Sequence, residues 1–501
     1  MAVGQEQFEV LGKETTGQLI LTVKVSADHM NFLVDCDYDT TKEKSKIDQS
    51  TMMYLLKGKI KREQINTAAI DAMLPLVNAG KSIRERKLAQ GKPPVPGEDG
   101  RLFQIVKIVD PPARAGDIRY LADIQRVVPG TILGIIMPPQ AGAEGEDVFG
   151  KPVASVLGKP FKMVVDKSIS LKPSLQEGGN EYLIANVSGY LTRDKDRLKI
   201  QSTLEVAGDV DPTLGKVEFI GKMNIEKDVA KGVALSTWDE IHIHGRTHGG
   251  SLESVNGSVK VEGMVLGGPG CTVTAGGGFN ALMTQNLKLT ALDNVVISKE
   301  ARDSEIDTCG LIDMKRGHLL GGKAFSMGGM EIGIVGSDAA SYTVVGSKSR
   351  TQVEAEMTKL DESLTEYAAL ESAIADKITP LGLDKEKIPP LDGNQSKRIN
   401  ELLLKLAQIR VTKEVWLKRK AHMQAALARP VWFQLNFQET LYKGVVIKIG
   451  EDQLVIEAEH RGPGTIEYTN DGKFNDIPRQ KKMFAQAKPP GAPEGHGHGH
   501  K

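Results

Sequence analysis

The chain has 501 residues, of which 40% are hydrophobic and only 5% aromatic, a length that suits about three domains with buried cores. Lys+Arg and Asp+Glu both number 64, so the formal net charge is zero, which excludes nucleic-acid binding driven by bulk charge. Three scattered cysteines, Cys36, Cys271 and Cys309, exclude a disulfide framework and a C-x-x-C zinc knuckle and fit a reducing compartment.

The chain opens with Glu6 and Glu9 and has no apolar core there, so no secretory leader is expected. Residues 1–200 read as a mixed α/β region. Strand-like runs lie at 17–29, 102–110, 131–137 and 161–166. Between the first two, Ile70, Met73, Leu74 and Val77 fall at helical spacing before Gly80, a natural C-terminal stop. Pro75 within that run weakens its last turn. The strongest apolar stretch, Thr131 to Pro139, is far shorter than the ~20 residues of a membrane helix, so a cytoplasmic protein with no membrane span is expected.

From 201 to 348 the sequence repeats. One apolar residue per short strand can be followed through Ile225, Ile243, Val261, Phe279, Ile297, Met314 and Ile332, in steps of 18, 18, 18, 18, 17 and 18. A second strand recurs within each period, as at 233–237, 271–275, 287–291 and 304–308, with Gly-rich corners between. The copy at 251–255 carries Glu253 where an apolar residue is expected. Short alternating strands at a fixed period of about eighteen residues describe a parallel β-helix. The seven glycines of 261–278 then read as corners, where the backbone bends or takes positive φ. No G-x-x-x-x-G-K-[ST] run occurs, and strands rather than a long helix follow, so phosphate binding is not expected.

Residues 349–428 change character. Val353, Met357, Leu360, Leu364 and Tyr367 on one run, and Ile399, Leu402, Leu406, Ile409 and Trp416 on another, flank a breaker at 379–393 with three prolines. This predicts an antiparallel helical hairpin inserted near the end of the solenoid. Residues 429–470 return to strands, where Val445, Ile447 and Ile449 alternate like one more rung. Residues 471–501, rich in Pro, Gly and His, read as a disordered tail.

Four stretches, 88–102, 129–153, 207–235 and 442–450, together with this domain order, resemble the flagellar assembly protein A family over roughly residues 8 to 470. Gly215-Lys216 stands where its members often carry Gly-Asn. The resemblance implies a bacterial cytoplasmic protein whose β-helix is right-handed and related in architecture to the bactofilin polymers. It implies protein partners, flagellar or polar-localisation factors, and no catalytic residue to carry over.

The side-chain constellations support no assigned site: catalytic, cofactor-binding and metal residues are all expected to be none, and no cofactor is expected. His242 and His244 should share the outer face of one strand if Ile241 and Ile243 point inward. With His248 they make the best metal candidate, but neither Asp239 nor Glu240 is placed to complete a set of four, and solvated surface histidines are the simpler reading. The tail ending GHGHGHK would bind divalent metals weakly. The acidic pairs in 97–100 and 145–150 read as turn formers among glycines.

The expected function is a non-catalytic scaffold whose solenoid ends leave strand edges that must be capped or paired. The N-terminal domain and the 430–470 strands are the expected caps, and end-to-end self-association is the other way to cover an edge. The hairpin, 351–427, is expected to project as a partner-docking arm, with Trp416 and Met423 extending its apolar stripe. A carbohydrate-active or sugar-nucleotide enzyme is the alternative, since β-helices can present long grooves. Glycoside hydrolysis needs paired carboxylates, yet the outward positions beside the followed residues, His242, Lys260, Gly278, Val296, His244, Glu262, Asn280 and Ser298, include one acid.

Overall fold

In Leu19–Ser26 (LILTVKVS) the period-2 alternation buries Leu19, Leu21, Val23 and Val25 on one face. The strand is central in an antiparallel sheet ordered Phe8–Thr16, Leu19–Ser26, Asn31–Tyr38, Ile83–Gln90. The computed structural model describes residues 7–110, 124–339, 342–383, 385–479 and 481–483. It divides into two units, Met1–Leu102 with Ile136–Lys162, and Phe103–Ile135 with Met163–Lys501, so the region 1–200 is shared between them.

In the first unit two helices cover the sheet. Helix α1 (Gln49–Leu55) starts where the Asp48 side chain accepts from Thr51 N, and α2 (Thr67–Asn78) where Asn66 accepts from Ala69 N, each cap satisfying an otherwise orphaned amide. Met52, Ile70, Met73 and Val77 pack against Leu21, Val23, Phe32 and Val34. Pro75 is accommodated inside α2, which ends one turn later with Gly80 at φ +70, the left-handed stop expected of glycine.

In the second unit the hairpin Ile169–Pro173/Glu181–Ala185 precedes the solenoid, which runs as one hydrogen-bonded network from Thr203–Val206 to Phe474–Ile477. Its rungs are three-sided. On the first side the inward column is Val206, Ile225, Ile243, Val261, Ala281, Ile297, Met314, Ile332 and Phe437. The second side stacks Thr247, Val265, Thr284 and Ala301, and the third Leu235, Leu252, Val273, Leu289 and Ile306. All of these are buried.

The repeat is therefore as expected, with one correction. Phe279 is inward, but it stands beside Val259 and Val295; the partner of Val261 and Ile297 is Ala281. The cause is one corner enlarged by three residues and a following one shortened by one, Leu252 and Val261 being nine apart but Val273 and Ala281 eight. Thr247 and Leu252 are five residues apart, whereas their counterparts Val265 and Val273 are eight apart. The glycines of this stretch act by two means. Gly270 takes φ +80, but Gly267 and Gly276 are required because a Cβ would lie 2.0 Å from Asn286 O and 1.8 Å from Val255 O of neighbouring rungs.

A second regularity was not visible in the sequence. At the end of the third side the positions Thr237, Ser254, Ala275, Ala291, Thr308 and Ser326 stack in register. Their hydroxyls, where present, donate to the carbonyls of Gly221, Asp239, Asp293 and Gly310. These bonds give corner carbonyls a side-chain donor; Gly310 O also accepts from Gly328 N at 3.0 Å.

The chain leaves the solenoid after Thr343–Ser347, forms α3 (Arg350–Ile378) and α4 (Gly393–Leu427), and returns at Val431–Leu441 on the next rung, where Ile332 pairs with Phe437. Both helices begin with capping boxes, at Ser349 and Asp392. The insertion and the extra rung, Val446–Ile449 against Val344 to Ser347, match expectation. The projecting arm does not. Met423, Ala426 and Val353 are buried in the solenoid core, Lys418 Nζ lies 2.7 Å from Asn256 Oδ1, and Arg429 donates to Met327 O. At the far end of α4, Asn400 makes both hydrogen bonds to the backbone of Ile132 (2.8 and 2.9 Å), and Ile388, Leu391 and Ile399 pack with Ile135, Tyr182 and Ile184. The hairpin is a strap, because two apolar ends of one amphipathic helix find partners at two places on this unit.

The last rung is covered by antiparallel strands: Gly464–Thr469 on Val431–Leu441, and Asp452–Val455 on Val446–Ile449. Phe474–Ile477 adds to Gly464–Thr469, so ordered structure extends past residue 470, where the tail was expected to begin. Residue 480 and residues 484–501 of that segment lie outside those described. Among the described residues no helix is long and apolar enough to cross a membrane.

Candidate functional site

Alternation in Ile241–Ile243 buries both isoleucines and turns His242 and His244 outward, as expected. The ladder then supplies what the local sequence lacks. His242 pairs with Lys260 on the next rung, and Glu262, two residues further, reaches back to both rings. His242 Nε2 lies 3.0 Å and His244 Nδ1 3.4 Å from Glu262 Oε1, and the two rings are 4.1 Å apart.

On the other side, His244 Nε2 lies 3.1 Å from Asn224 Oδ1, and Asn224 Nδ2 donates to Glu205 Oε2 at 2.7 Å. The relay orients the Asn224 oxygen toward His244 and so places the His244 proton on Nε2. Lys260 Nζ sits 3.2 Å from Glu262 Oε1. Its neighbours, His242 foremost and then Lys260, hold the exposed Glu262 carboxyl down at about 2. The three groups offer ligand atoms within 4.8 Å of one another, two imidazoles and a carboxylate, the donor set that borderline dications prefer.

His248 does not join them. It faces Asp228, 3.4 Å away, whose carboxyl is held low chiefly by the Arg246 backbone N–H. Glu240 lies near Lys222 (3.4 Å). Asp147 accepts from Phe149 N (2.9 Å) and Lys151 N (2.8 Å) within its own turn, whereas Asp99 accepts from Lys159 N (2.6 Å), far along the chain.

Two stacked outward acids, Asp313 and Glu331, could suggest a hydrolytic pair. Lys315 Nζ lies 2.8 Å from Glu331 and 3.6 Å from Asp313, which makes them a structural charge triad. A cavity of about 240 Å³ lies between the third solenoid side and α4, lined by Thr274, Thr290, Asp307, Lys348, Trp416 and Arg419, with Cys309 at its wall. Burial pushes the Cys309 thiol up to about 12, which leaves it a poor nucleophile.

Comparison with known families places these elements. The family model described as the Flagellar Assembly Protein A beta solenoid domain matches residues 202–474, and that of the Flagellar Assembly Protein A N-terminal region matches 21–196. Neither a curated protein nor a solved structure matches the chain. The solenoid match alone covers more than half of the sequence and coincides with the stacked rungs and their antiparallel cover, and the chain belongs to the flagellar assembly protein A family.

Proposed function

We propose that this protein is a non-catalytic cytoplasmic scaffold in flagellar assembly or polar organisation, acting through protein partners. The observation that carries the reading is the strapped solenoid. Helix α4 is bonded to the rungs at Asn256 and Asp293 and to Ile132 at its other end, and Arg429 just past it to Met327, a build that stiffens a long surface. Family membership supports the flagellar assignment. The unpaired Cys36, Cys271 and Cys309 support a reducing compartment.

Self-association belongs to the same proposal, but by lateral contact. Antiparallel strands on the last rung oppose head-to-tail growth, because they cannot continue a parallel ladder from that end. The test is deletion of the gene in a flagellated host, with flagella counted and located by electron microscopy and the full chain restored in trans. Loss or misplacement of flagella, reversed by the restored chain, is expected; unchanged number and position would overturn the assignment.

A further inference from the structure

We propose that His242, His244 and Glu262 form a binding site for a transition-metal dication of the Zn²⁺ class on the outer face of the solenoid. The donors come from consecutive rungs, so the backbone ladder His242↔Lys260 fixes their separation without help from flexible loops. The orientation of His244 is what points to a cation. Its Nε2 proton is committed to Asn224 Oδ1 (3.1 Å), and Asn224 is held by Glu205 (2.7 Å). In the neutral ring Nδ1 therefore presents a lone pair to the Glu262 carboxylate 3.4 Å away.

Nδ1 and the carboxylate oxygen therefore face one point at which a dication can take both as ligands. A carboxamide behind a metal-ligating histidine, itself hydrogen-bonded, is the outer-shell arrangement that fixes tautomer and raises affinity. His242 Nε2, 3.0 Å from the same carboxylate oxygen, supplies the third donor. Lys260 Nζ (3.2 Å) occupies the same oxygen and acts as the built-in competitor, so metal entry requires its side chain to swing into solvent.

The experiment uses the full chain carrying His496→Ala, His498→Ala and His500→Ala, which removes the metal-binding tail. Zn²⁺ is titrated calorimetrically at pH 7.5, and Co²⁺ is titrated with its visible absorption followed. Zn²⁺ binding abolished by His242→Ala with His244→Ala and weakened at least tenfold by Glu262→Gln is expected. Asn224→Ala should weaken it about 10–100-fold, and Lys260→Met should tighten it. All five positions face solvent from the strand surface, and circular dichroism confirms the fold of each variant. Absence of Zn²⁺ binding, or affinity unchanged in the double histidine variant, would overturn the site. So would affinity insensitive to Asn224→Ala together with a Co²⁺ spectrum that shows only hexaaquo ion.

Discussion

His422 Nε2 lies 2.7 Å from Asp293 Oδ1, joining the last turns of α4 to a solenoid corner 129 residues earlier. One turn before it Lys418 reaches Asn256, and Met423 beside it and Ala426 one turn on enter the core. The polar contacts fix where the helix lies, and the apolar ones hold it there, since exposed or half-exposed ion pairs contribute little by themselves.

Met423 is fully buried. Met423→Asp would place a carboxylate among apolar side chains, at a cost of several kcal/mol, and should release α3 and α4 from the rungs. Limited proteolysis should then cut within 350–427 while the solenoid stays resistant. His422→Ala alone should change the melting temperature little. A Met423→Asp protein as protease-resistant as the parent would show that the strap does not depend on this contact.

Val261 is fully buried between Ile243 and Ala281. Val261→Asp should likewise cost several kcal/mol and loosen neighbouring rungs, read as a large fall in melting temperature by circular dichroism. The control is Asn280→Asp, on the outer face beside Lys260, expected to stay within about 0.5 kcal/mol of the parent. The reverse order would mean the inward register is wrong.

Thr308 donates to Asp293 O and accepts from Gly310 N at 3.0 Å. Thr308→Val keeps the volume and leaves both backbone groups without this partner, which should cost about 1–3 kcal/mol in urea unfolding. Ala291, the position beneath it in the same column, carries no hydroxyl, and its substitution by Gly removes no such bond. A Thr308→Val protein as stable as the parent would show that the hydroxyl column is incidental.

The Glu262 carboxyl is depressed from 4.5 to about 2, by His242 first and Lys260 second. A depressed carboxyl contributes stability that is present above its unfolded pKa and lost as pH falls through its folded one. The melting-temperature gap between parent and Glu262→Gln should therefore be steady near pH 5 and shrink as the pH is taken down toward 2. A gap that widens on acidification would contradict the hydrogen-bonded arrangement around Glu262.

What the sequence determined by itself was the periodic part. Strand alternation and an eighteen-residue period are local properties, so the solenoid, the outward pair His242 and His244, the inserted hairpin and the extra rung at 446–449 could all be read from residue spacing. The position of Glu262 was also within reach, because it follows His244 by one period, but it became a partner only once rungs were laid edge to edge. Tertiary structure decided the rest. One corner three residues longer, followed by one a residue shorter, moved the true column from Phe279 to Ala281, since both are apolar and two residues apart on the same face. It also decided the hairpin. An amphipathic stripe states that a helix face will be buried, and not by what; Met423 finds the rungs and Ile399 finds Tyr182 and Ile184 because those surfaces, distant in sequence, were left uncovered by their own neighbours.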